Sequence, residues 1–210
     1  VELPAEQGAE KDLQDALDTL FNHPNVPPFI AKQLIQKFIT SNPPTDYVER
    51  IANVFIDDGF GVRGNLAAVI KAILLDTHAL NGHLTHPDTF GKVREPILTA
   101  THMWRAFNLT TENEIIDLGW PEYFFNQAPL AAPSVFNFFR PDYSPPSLKN
   151  ETGLLVPELQ IATETGVTHR SNFVAWYGMW RSFSGEFSLL EEDERQRLWL
   201  DFNDFVAQAE

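Results

Sequence analysis

The chain has 210 residues, enough to bury a sizeable core, and carries 17 Phe and 5 Trp. Lys and Arg number 15 against 29 Asp and Glu, and the net charge of −14 disfavours phosphate backbones and anionic lipid as partners. Absence of cysteine removes disulfides, thiolate metal sites and a Cys nucleophile, and no run of about 18 apolar residues exists to span a bilayer.

Helical periodicity dominates the pattern from the start. Leu13, Ala16, Leu17, Leu20 and Phe21 fall on one face of an amphipathic helix that Asn22-His23-Pro24 ends. Pro27-Pro28 opens a second helix with Ile30, Leu34, Ile35, Phe38 and Ile39 inward, and Ser41-Asn42-Pro43-Pro44 closes it. Asp46 and Glu49 form a capping pair for a third, where Val48, Ile51, Ala52, Phe55 and Ile56 repeat the stripe. After a glycine-rich loop, Asn65 caps a fourth with Leu66, Val69, Ile70, Ile73 and Leu74 buried. From His78 to Asp88 the pattern lapses into a loop. A fifth helix starts at Pro96, and Thr111-Glu112-Asn113-Glu114 is a capping box for a short sixth ending near Gly119.

Residues 120–148 are rich in aromatics and proline, with only Ser134–Phe139 expected to form a helical turn. Helicity returns after Pro157, with a kink at Gly166, and resumes through Phe173, Trp176, Tyr177, Trp180 and Phe183. Ser188 and Glu191 cap a last helix whose buried stripe is Leu198, Trp199, Phe202 and Phe205. The fold class is all-α, a globular bundle of about seven helices forming one region over 1–210 with a long aromatic and proline-rich loop.

Four constellations carry polar chemistry. His78, His83 and His86 place three imidazoles close together, the ingredients of a zinc site, yet no HExxH-type register holds them and a His-rich loop has the same composition. No metal or cofactor is therefore expected. Asp57 to Asn65 sets two carboxylates among glycines without the ligand alternation of an EF-hand or the Lys-Ser/Thr of a phosphate-binding loop, and reads as a helix end and turn. Arg94 and Glu95 stand ahead of a helix, where they bind a ligand carboxylate or join an ion-pair network. Asn137, Phe138, Arg140 and Asp142 lie in the aromatic-proline segment, which has the flat platforms and polar fixers of a sugar- or peptide-binding groove. The same residues also suit a loop anchored to the core with Arg140 paired to Asp142 or a nearby Glu. With the carboxylate Glu158, these six are the candidate binding residues; no nucleophile motif such as Gly-x-Ser-x-Gly occurs.

Asn22-His23-Pro24-Asn25-Val26, Gln33-Leu34-Ile35-Gln36, Phe55 to Gly64, Phe90 to Pro96 and Ala132 to Tyr143 run in an order that resembles the C-terminal part of the bacterial domain of unknown function 1800 family. The likeness covers roughly residues 10–175, with the Phe-Asn-Phe-Phe-Arg-Pro-Asp-Tyr and Arg-Glu-Pro segments its most specific parts. His78–Pro87 departs from the family's usual short spacer. The resemblance implies a longer, exported parent protein, in the periplasm or outside the cell, whose other polar motifs lie upstream of this chain. It supplies no catalytic residues. The function expected is a helical binding or scaffold region packing against the N-terminal remainder of its parent chain, with the aromatic-proline loop contacting that remainder, a saccharide or a protein ligand. The alternative is part of an extracytoplasmic hydrolase whose active site needs upstream residues.

Overall fold

Amphipathic stretches of about three turns cannot bury their apolar faces alone, and here they gather into two compact units, Val1–Lys92 and Val93–Glu210. The computed structural model describes residues 7–111, 121–175 and 198–201. The architecture is all-α, and no helix among these residues is long and apolar enough to cross a membrane.

In the first unit, α1 (Ala9–Asn22), α2 (Val26–Phe38), α3 (Thr45–Ile56) and α4 (Leu66–Leu75) occupy the four periodic stretches. Pro27 and Pro28 sit in the first turn of α2, where a missing N–H leaves no helical bond unmade. The Asn65 side chain accepts a hydrogen bond from the Ala68 amide and starts α4 as expected. Ala31 and Ile35 of α2, Tyr47, Ile51, Ala52 and Phe55 of α3, and Val69 and Ile73 of α4 form the core. The Tyr47 hydroxyl donates to the Ile73 carbonyl at 2.7 Å, satisfying one of the last carbonyls of α4, which has no partner within its helix.

Two expectations are corrected here. The apolar face of α1 does not turn inward, for none of its residues is buried. The core of α2, α3 and α4 closes without it, and Phe21, at the end of α1, reaches back to Phe55 with ring centroids 6.0 Å apart. Phe38, Ile56, Leu66 and Leu74, also expected inward, are exposed because their stripes are wider than the surface the neighbouring helices cover. The second correction is α5 (Thr77–Thr85), a helix where a loop was expected. Asp76 starts it by accepting a hydrogen bond from the His78 amide at 2.8 Å, and its buried residues are His78 and Gly82 rather than aliphatics.

The second unit contains α6 (Leu98–Ala106), α7 (Pro121–Phe125), α8 (Pro146–Thr152), a 3-10 turn at Pro157–Gln160 and α9 (Glu164–Phe173). Ala100, Trp104, Phe124, Phe125 and Phe173 form its core, and Phe125 meets Phe173 edge-on with centroids 4.8 Å apart. Ser134–Phe139 is not a helical turn: Asn137 takes a positive φ of 71°, and Ser134 and Asn137 close a tight antiparallel bridge. Gly166 does not kink a helix either. Thr163 caps α9 by accepting from the Gly166 amide at 3.1 Å, which places that glycine in the first turn.

Asn108, at φ 43°, turns the chain out of α6, and β1 (Thr110–Thr111) pairs antiparallel with β2 (Leu198–Trp199). Leu198 and Trp199 are therefore extended, not helical; the β-branched threonines opposite them favour that ladder. The rest of the expected sixth helix (112–119), the stretch Trp176–Phe183, the Ser188/Glu191 cap, and Phe202 and Phe205 lie outside the described residues.

Candidate interaction surface

Leu13, Leu17, Leu20 and Phe21 recur at the spacing that stacks side chains along one helix face, and in α1 the three leucines are exposed while Phe21 packs on Phe55. Leu13 is 61% exposed and Leu20 65%. Carboxylates of Glu10, Asp12 and Asp18 stand on α1 beside this stripe.

The stripe ends at a built junction. The Arg63 guanidinium donates two hydrogen bonds to the Phe21 carbonyl and lies over both the Phe21 and Phe55 rings, 5.5 and 5.4 Å from their centroids. Gly64, at φ 77°, allows the approach: a Cβ there would stand 2.6 Å from the tip of the Phe21 ring.

Arg63 and Gly64 belong to the loop between α3 and α4, and the loop holds its own shape. One Asp57 oxygen accepts from the Gly59 and Gly61 amides at 2.8 and 2.9 Å. One Asp58 oxygen accepts from Phe60 and Val62 at 2.9 and 3.2 Å, while its other accepts from Asn65 at 2.7 Å. The Asn65 side chain and these amides hold the Asp58 carboxyl below the usual carboxylate range. Both carboxylates thus bind the loop's own amides, as a turn requires. Its effect is to hold Phe60 in water, 91% exposed, beside the half-exposed Val62. Sequence reasoning missed this surface, since Asp-Gly-Phe-Gly composition signals a turn and says nothing of what the turn displays.

The residues singled out from sequence separate into several settings. Arg140 and Asp142 form a bidentate ion pair at 3.0 and 2.8 Å, both exposed, and each holds the other charged. The Arg140 amide donates to Gln160, two residues beyond Glu158, whose side chain is buried at 1% exposure. Asn137 shapes its turn; Phe138 is half-buried, Phe139 buried, and Phe136 exposed. Glu95 accepts from Gln127 at 2.8 Å, and Gln127 in turn accepts from the Ile97 amide at the start of α6, while Arg94 is exposed. Of the histidines, His78 and His86 lie with ring centroids 4.9 Å apart and His83 packs on Phe90. Among the described residues, no three His, Asp or Glu side chains gather to hold a metal ion.

A depression between α6 and α9 is lined by Thr99, Val167, Arg170, Ser171 and Val174. The Ser171 hydroxyl donates to the Val167 carbonyl one turn back, and Arg170 to that of Gly166. Neither side chain is arranged as a nucleophile or an oxyanion donor.

Fold and surface together define an all-α chain with a large uncovered apolar face. It belongs to the family described as protein of unknown function (DUF1800), whose model matches residues 2–208. No curated protein and no solved structure matches the chain.

Proposed function

We propose that this chain is a binding region that buries the α1 face and the adjoining Phe60 loop against an apolar, basic-rimmed protein surface, the N-terminal remainder of its own parent chain. The observation that carries this reading is the uncovered Leu13-Leu17-Leu20 stripe of α1. Solvent-exposed leucines on a well-formed amphipathic helix are stabilised by covering, at roughly 25 cal/mol for each Å² of apolar surface removed from water. Carboxylates beside the stripe and the net charge of −14 favour Lys or Arg on the covering surface. The likeness to a family of longer proteins supports a partner in the same parent chain, outside the cytoplasm.

The test is calorimetric titration of this chain with the polypeptide its gene encodes ahead of it. Replacing Leu13, Leu17 and Leu20 together by Gln should abolish binding while leaving the circular dichroism unchanged. Undiminished binding by that variant would remove α1 from the interface.

A further inference from the structure

A titratable side chain lies in the contact between α5 and the rest of its unit. His78 is 7% exposed, and three rings enclose it: Tyr47 of α3 at 5.3 Å between centroids, Phe90 at 5.5 Å edge-on, and His86 at 4.9 Å. Its Nε2 is buried and has no hydrogen-bond partner among the described residues.

Two of the enclosing rings arrive on one short strap, residues 86–92, which turns back from the end of α5. The Phe90 amide donates to the His86 carbonyl at 2.9 Å, and the Phe90 ring fills the space left by Gly82, where a Cβ would strike it. Beyond it the strap is fastened to the end of α2. Gly91 donates to the Thr40 hydroxyl at 3.0 Å and accepts from the Ser41 amide at 2.9 Å, and the Lys92 ammonium donates to the Gln36 and Lys37 carbonyls. The strap and α5 therefore meet around the His78 imidazole.

The charged and titratable groups facing that imidazole are few. α3 supplies Asp46, Arg50 and the Tyr47 hydroxyl, the α4–α5 junction supplies Asp76, and the strap supplies His86. Burial opposes a proton on His78 most strongly, and His86 and Arg50 add to it, while Asp76 and Asp46 favour the proton. The balance holds His78 below the ordinary histidine range.

We propose that the His78 imidazole, enclosed by Tyr47, Phe90 and His86, is an acid-released latch, closed on α5 while it is neutral and opened when it takes up a proton. A proton on His78 would lie in a buried site whose Nε2 has nothing to donate to. The open form accepts a proton that the closed form excludes. Closure is thus at full strength at neutral pH and weakens as pH falls through the ordinary histidine range, until His78 is protonated in the closed form too.

Hydrogen exchange on the whole chain tests this, with rates corrected for the intrinsic pH dependence. Between about pH 7.5 and 5.5, protection of the Phe90 and Gly91 amides and of α5 should fall about tenfold while Ile51 and Ile73 hold theirs. In His78→Phe, which cannot be protonated, that selective fall should vanish, and the His78 ring proton of the wild type should titrate below the ordinary range. An equal fall in His78→Phe, or no selective fall in the wild type, would overturn the latch. If His78→Phe does not fold, His86→Gln decides the matter: a reduced fall supports the latch and an unchanged one refutes it.

Discussion

Arg63 binds Phe21 twice over, through its carbonyl oxygen at 3.0 and 3.3 Å and through its ring, with the guanidinium carbon 5.5 Å from the centroid. This one side chain fixes the end of α1 to the loop that carries Phe60, and so joins the two parts of the uncovered face. Arg63→Ala should cost about 1–2 kcal/mol, less than the full sum of a cation–π contact and a hydrogen bond from a charged donor because the junction is open to water. Arg63→Lys should recover less than half of that, because an ammonium lacks the planar fork. Urea unfolding of the three proteins checks both figures; full recovery by Lys would reduce the junction to simple charge.

Gly64 gives a test of the same junction by crowding. Alanine there meets the Phe21 ring and must hold a positive φ, so Gly64→Ala should destabilise by about 1–3 kcal/mol. In a Phe21→Ala background the steric part disappears and only about 1 kcal/mol of backbone strain should remain. The measurement is a double-mutant cycle by urea unfolding, and additivity of the two changes would contradict the contact.

Tyr47 occupies the centre of the first core, and burial pushes its hydroxyl above the ordinary tyrosine range. Tyr47→Phe keeps the ring but orphans the Ile73 carbonyl at the end of α4. A loss of about 1–2 kcal/mol is expected, read from chemical denaturation at neutral pH.

Asp76 links three elements, accepting from the Arg50 guanidinium at 2.8 and 2.9 Å and from the His78 amide. Burial alone would raise its carboxyl, but Arg50 and that amide overcome it and hold the group below the usual carboxylate range. The stability this provides is present above the unfolded-state value and is lost as pH falls through the lower folded value. Wild type should therefore exceed Asp76→Asn at about pH 5, and that margin should close below about pH 4. Thermal unfolding across that range checks the sign; a margin that widens in acid would contradict it.

The first four helices were legible because Leu, Ile, Val and Phe recur at the helical period, and the period survives whatever the helix packs on. The same reasoning could not place α1. Its stripe proves the helix amphipathic, but periodicity does not say whether the covering partner lies in this unit. α5 was hidden for a different reason: its inward face is His78 and Gly82, which no hydrophobic pattern marks. In the second unit, Phe124, Phe125 and Phe139 went to the core while Phe136 stayed exposed, a division that depends on turns set by Asn126 and Asn137 at positive φ. The sequence left Asp142 and a nearby Glu as partners for Arg140, and the structure pairs it with Asp142; the burial of Glu158 in a 3-10 turn was not readable.

The proposed function turns on whether the α1 face is covered in the complete protein. Hydroxyl-radical footprinting reads this directly, comparing this chain alone with the same residues in its full-length parent. Leu13, Leu17, Leu20 and Phe60 should each lose reactivity several-fold in the parent, while Val135, exposed on the second unit, keeps its own. Equal reactivity of the α1 leucines in both proteins would show the face open to water and contradict the binding role proposed for it.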